Sequence, residues 1–109
     1  GSIDGIQVPM LDTYSYSASK AAIHHMTRVL AKKLAPNISV TAVAPGPFQS
    51  KMMKATLENF GDSIASTCPM KRIGEPDDMA GIAIYLASKA GAYVTGSVIA
   101  VDGGISTTK

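Results

Sequence analysis

The sequence predicts an α/β fold, with helices packed on a parallel β-sheet. Two observations point there. Hydrophobic patterns run helix, strand, helix, helix, strand along the 109 residues, the order that parallel strands joined by helical crossovers require. Both strand segments are near-continuous apolar runs, as in strands covered on both faces, rather than alternating ones. Two strands are too few for such a sheet, so part of it is expected to lie outside these residues.

Residues 1–15 mix Gly, Pro, Asp, Ser and Thr with apolar residues and read as a loop. From about Tyr16 to Leu34 the pattern is helical: Ala22, Met26, Val29 and Leu30 recur at spacings of three and four, with Ile23 beside them. Lys32 and Lys33 fall in the last turn, where positive charge suits the helix dipole, and Pro36-Asn37 ends the helix. Ile38–Ala44 reads as a buried strand, broken by Pro45-Gly46-Pro47. Gln49–Ser66 is polar, Met-rich and weakly periodic, which suggests one or two short helices. Glu75-Pro76-Asp77-Asp78 opens the next helix, with Pro in the first turn and acids at the positive dipole end. Met79, Ile82, Ala83 and Leu86 continue it, and Ser88–Gly91 stops it. Ser97–Val101 is the second strand, closed by a turn at Asp102-Gly103-Gly104. No repeat, low-complexity segment or linker interrupts the chain, so residues 1–109 belong to one domain.

Charged residues make up 17% and hydrophobic ones 46%. The charged share is below the roughly 25% usual in soluble domains, which implies surfaces covered by the rest of a fold or by a partner subunit. Net charge is +2 and no basic run exceeds Lys32-Lys33, so no nucleic-acid partner is expected. The apolar runs fall short of the ~20 residues of a membrane span. A single cysteine, Cys68, excludes a disulfide framework and fits a reducing compartment; an inert buried thiol is its expected role. No signal-peptide pattern opens the chain, so a cytoplasmic location is expected. His24 and His25 are adjacent, point to different helix faces and have no acid or thiol cluster nearby. They read as surface or subunit-interface residues, and no metal centre is expected.

Tyr16-Ser17-Ala18-Ser19-Lys20 sets a phenol and an ammonium four residues apart, on one helical face. A free phenol titrates near about 10, and a neighbouring cation favours its ionised form. Such a pair can act as a general acid or base. The spacing alone is weak, because Tyr85-Leu86-Ala87-Ser88-Lys89 repeats it at the end of an amphipathic helix. Tyr16 differs in context: it follows a loop, opens a helix rich in small residues, and leads into a strand ending at Pro45-Gly46. Ends of parallel strands are where open α/β sheets bind ligands.

Tyr16-Ser-Ala-Ser-Lys20-Ala-Ala, Val40-Thr-Ala-Val-Ala-Pro45-Gly46 and Gly96-Ser-Val-Ile-Ala-Val-Asp102-Gly103-Gly104, in this order and spacing, resemble the short-chain dehydrogenase/reductase family, most of all its 3-oxoacyl-[acyl-carrier-protein] reductase-like members. The resemblance covers essentially the whole chain. It implies the C-terminal half of a Rossmann-like, doubly wound parallel sheet, in a cytoplasmic homodimer or homotetramer serving fatty acid metabolism. Ser2 matches the family serine that holds the substrate carbonyl, although Gly1-Ser2 is also what an expression vector leaves behind. Tyr16 matches the proton donor, and Lys20 the residue that binds the nicotinamide ribose. Pro45-Gly46 matches the turn beside the nicotinamide, Phe48 the residue whose backbone meets the carboxamide, and Ser50 a hydroxyl contact to the cofactor. Pro47 departs from the pattern and puts those backbone contacts in doubt. Gln49–Pro69 matches the segment that covers substrate; Met52, Met53, Leu57, Phe60 and Ile64 there either line an apolar pocket or pack ordinarily. Asp102-Gly103-Gly104 lies near a family subunit contact.

The implied cofactor is NADP, ahead of NAD. The implied substrate is a small carbonyl or alcohol, such as an acyl-carrier-protein or CoA thioester. The Gly-rich pyrophosphate turn, the residues that choose between NAD and NADP, and the relay Asn do not occur here. The expectation is a fragment of an oxidoreductase, inactive alone. The alternatives are a truncated, non-catalytic chain used in subunit association, or a sugar or steroid dehydrogenase of the same family.

Overall fold

The computed structural model describes residues 1–108. Its main elements are α1 (Tyr14–Leu34), β1 (Ala42–Pro45), α2 (Lys54–Thr67), α3 (Pro76–Ala87) and β2 (Val98–Val101), with short 3-10 turns at Ile3–Gly5 and Lys89–Gly91. β1 and β2 pair in parallel, Ala42 opposite Val98 and Pro45 opposite Val101. α2 and α3 form the crossover between them. The α/β layering on a parallel sheet is therefore present.

The elements differ from expectation at their edges, for local reasons. The first residues are not all loop: Ser2 caps the Ile3–Gly5 turn by accepting the Asp4 N–H at 3.2 Å. α1 begins two residues early, so Tyr16 lies inside its first turn. β1 starts at Ala42 rather than Ile38. Upstream of it Gly96 adopts φ 72°, which turns the partner strand away, and the Val40 N–H bonds to Thr95 Oγ1 at 3.0 Å instead of to a strand. Along β1, Ala42 and Ala44 are buried while Val43 and Pro45 are half-buried, so only one face is fully covered. Gln49–Ser66 holds one helix, α2.

The packing of α1 shows what periodicity does not. Its buried residues are His24, Thr27 and Ala31, whereas the apolar stripe faces outward, with Ile23, Met26 and Val29 exposed by 44%, 55% and 50%. The covered side thus carries an imidazole, a threonine and an alanine rather than the apolar stripe. His24 is accordingly not a surface residue: it is 4% exposed.

α3 starts where expected. The Asp78 carboxylate accepts the Glu75 N–H at 2.9 Å, and Arg72 clasps both of its oxygens at 2.6 and 2.8 Å. That bidentate bond, helped by the Glu75 amide, holds the Asp78 carboxyl well below the usual range. Cys68 is buried, its thiol facing the Gly103 carbonyl at 3.4 Å. No large side chain among the described residues is fully buried, and the radius of gyration is 14.8 Å against the roughly 13 Å expected of a compact chain this long. No helix among the described residues is long and apolar enough to cross a membrane.

Ala44 has no exposed surface. Ala44→Leu is expected to lower stability by about 1–3 kcal/mol through overpacking, read from the urea midpoint of the complete gene product.

Candidate active site

The C-terminal end of β1 opens on a recess of about 300 Å³. Three stretches of chain line it. Ser2 comes from the N-terminal turn and Tyr16 from the first turn of α1. Pro45, Gly46, Phe48, Ser50, Met52 and Met53 come from the strand end and the loop after it. Every expected site residue except Lys20 is on its wall. Lys20 sits one turn behind Tyr16, with Nζ 5.3 Å from the centre of the Tyr16 ring, within cation–π range.

Each wall has a visible cause. Ser2 is buried, its Oγ occupied by the Asp4 N–H and its backbone N–H bonded to His24 Nε2 at 3.3 Å. Tyr16 is 39% exposed; small neighbours in its helix leave the ring uncovered. The β1 end is pinned by the Gly46 N–H, which donates to the Val101 carbonyl at 3.0 Å. A Cβ on Gly46 would stand 2.6 Å from Asp102 Cβ and 3.0 Å from its Cα, so only glycine permits this approach. Phe48 is held by a parallel bridge to Gly74: the Gln49 N–H donates to the Gly74 carbonyl and the Gly74 N–H to the Pro47 carbonyl, at 3.1 and 3.0 Å. Pro47 thus keeps its acceptor in use, and its missing N–H costs the bridge nothing. Ser50 Oγ accepts the Met53 N–H at 3.2 Å, which leaves the hydroxyl proton free to donate.

Asp102 underlies this wall. Its carboxylate accepts from the Gly104 N–H at 2.9 Å and from the Ser106 N–H at 2.8 Å, and also from the Ser106 hydroxyl. Burial alone would raise its carboxyl, but the Ser106 and Gly104 bonds outweigh burial and hold it below the usual range. Sequence reasoning gave Asp102 a turn near a subunit contact and not this supporting part. It also missed His24, although the signal was there: residues 16, 20 and 24 fall on one helical face.

The Met-rich segment divides. Met52 and Met53 line the recess, whereas Ile64 lines a separate apolar pocket of about 170 Å³ with Phe48 and Cys68. That second pocket is the better enclosed, yet it holds none of Ser2, Tyr16 or Lys20. The groups able to hold or protonate a carbonyl gather instead at the β1 end. Tyr85 and Lys89, the repeated spacing, line neither.

Residues 2–106 match a family model described as enoyl-(acyl carrier protein) reductase. The chain is 44% identical over 107 residues to the rhamnolipids biosynthesis 3-oxoacyl-[acyl-carrier-protein] reductase of Pseudomonas aeruginosa, covering 95% of this chain and 42% of that protein. It is 46% identical over 94 residues to the galactitol 2-dehydrogenase (L-tagatose-forming) of Cereibacter sphaeroides, covering 83% and 37%. Among solved structures, the Pseudomonas aeruginosa RhlG/NADP active-site complex superposes with a TM-score of 0.88 at 43% identity, over 97% of this chain and 44% of that one. The chain spans less than half the length of the relatives it matches.

Gly46→Ala should displace the β1 end from Asp102. The expected result is a lower melting temperature of the complete gene product; an unchanged one would contradict the closeness of this contact.

Proposed function

The chain belongs to the short-chain dehydrogenase/reductase family, and on that premise we propose that it supplies the carbonyl-binding, proton-transferring half of a nicotinamide-dependent oxidoreductase. The observation that carries this reading is the recess itself, on which Ser2, Tyr16, Pro45, Gly46, Phe48 and Ser50 converge from separate stretches of chain. The remaining half, with the pyrophosphate-binding turn, would come from residues beyond these.

The residues present fit the nicotinamide end of such a cofactor. Pro45 and Gly46 offer a flat floor without long side chains, Phe48 an edge with fixed backbone, and Ser50 a hydroxyl proton. When bound, the reduced nicotinamide supplies a hydride. Tyr16 gives its phenolic proton to the carbonyl oxygen, and takes one back in the reverse direction. Ser2 Oγ accepts from Asp4 and so has its own proton to donate to the same oxygen, holding the carbonyl in line. Lys20 keeps a positive charge beside the Tyr16 ring and would bind the ribose hydroxyls.

The proposed substrate class is a 3-oxoacyl thioester on acyl-carrier-protein or CoA. Similarity to the Pseudomonas reductase supports it, as do Met52 and Met53 on the wall, since methionine adapts to varied apolar ligands. NADP is favoured by the likeness to a solved NADP complex. The outward apolar stripe of α1 supports a homo-oligomer, dimer or tetramer, and the family resemblance a cytoplasmic one. Identity to a galactitol dehydrogenase supports a second reading, oxidation of a sugar alcohol; a substrate panel separates the two.

In the complete gene product, Tyr16→Phe is expected to abolish turnover while NADPH fluorescence titration stays unchanged, and Lys20→Ala to weaken both. Wild-type kcat in Tyr16→Phe would sink the acid/base assignment. Residues 1–109 alone should give no NADPH fluorescence shift.

A further inference from the structure

We propose that His24 is a positioning residue: its buried imidazole ties the turn carrying Ser2 to the helix carrying Tyr16, and so sets where the Ser2 hydroxyl meets the carbonyl. This rests on the carbonyl-reducing reading of the recess.

His24 follows Tyr16 by two helical turns and Lys20 by one, on the face turned to the sheet. It is 4% exposed. Nε2 accepts the backbone N–H of Ser2 at 3.3 Å, and the Gly5 backbone lies against the same ring. One side chain therefore meets both ends of the Ser2–Gly5 turn, bonded at one and packed at the other. Among the described residues, the hydrogen bond joining that turn to α1 passes through it. The turn sits hard against the ring: a Cβ on Gly5 would stand 2.8 Å from His24 Cε1 and 2.7 Å from the Ala21 backbone nitrogen. The Ser2 hydroxyl is otherwise held only by Asp4, within the turn itself.

Accepting the Ser2 N–H requires an unprotonated Nε2. Burial is the largest influence on His24 and lowers its pKa; the Gly5 backbone acts in the opposite direction, and the charges of Arg28 and Lys20 add to the lowering. β1, packed alongside, carries no titratable side chain, and Asp4 is the one acid of the turn. The grip therefore holds above the folded pKa and is lost as pH falls through it. Because that value lies below the usual 6.5, the unfolded chain binds the proton first, and folding stability falls with it as pH drops below 6.5.

The test compares wild type, His24→Leu and His24→Gln in the complete gene product, with NADPH and a carbonyl panel. Glutamine can still accept from Ser2 and does not titrate. His24→Leu is expected to lower kcat about 10–100-fold with the KM for NADPH unchanged. His24→Gln should restore most of kcat and lack the wild-type acid limb below pH 6.5. An acid limb that persists in His24→Gln overturns the proposal, and this comparison decides the matter if His24→Leu does not fold. Equal loss of kcat and NADPH binding in a folded His24→Leu also overturns it, as a general structural defect. A wild type that reduces no carbonyl overturns the functional reading and this inference together, whereas an active wild type with an indifferent His24 overturns this inference alone.

Discussion

The parallel pairing of β1 with β2 is the constraint on which the rest of the structure depends. It puts the ends of two strands 56 residues apart in sequence side by side, Pro45 opposite Val101, and brings Gly46 onto Asp102. With the strand end held there, Phe48 can bridge to Gly74 and the loop through Ser50 can close one wall of the recess. α1 supplies the other wall. Three alanines in this layer are buried: Ala31 on the helix, Ala42 and Ala44 on the strand.

The fold class and the recess were legible in the sequence to different depths. Element order and type followed from periodicity, because the Ile38–Ala44 and Ser97–Val101 runs and the Glu75-Pro76-Asp77-Asp78 start signal are local. Strand limits did not follow, because the left-handed Gly96 and the Thr95 side chain act across the sheet. The inner face of α1 was not legible for a related reason. Periodicity locates an apolar stripe but not what lies opposite it, and here the stripe of Ile23, Met26 and Val29 turns outward while a histidine goes in. That Ser2, Tyr16 and the Pro45–Ser50 stretch share a site was implied by the family resemblance; the supports beneath them were not, since His24 acts through the backbone of Ser2, 22 residues away, and Asp102 lies against Gly46 across the strand end.

The two Tyr–Lys spacings show how little a motif says without its surroundings. Tyr16 lines the recess at the strand end, with the Lys20 ammonium beside its ring. Tyr85 and Lys89 straddle the end of α3, where the chain passes into the Lys89–Gly91 turn and Ser88 Oγ bonds back to the Tyr85 carbonyl. Equal spacing thus serves a recess in one case and a helix end in the other.

The bridge between Phe48 and Gly74 has a wider consequence. It fastens together the two ends of residues 49–73, making that stretch a closed flap with a fixed base. Loop-closure entropy grows slowly with length, by only about 0.6 kcal/mol per doubling. The flap's middle could therefore be lengthened or shortened at small entropic cost, provided that Cys68 and Met70 keep their hold on Gly103. A protein built this way can vary that stretch between its anchors while Gly46 stays against Asp102.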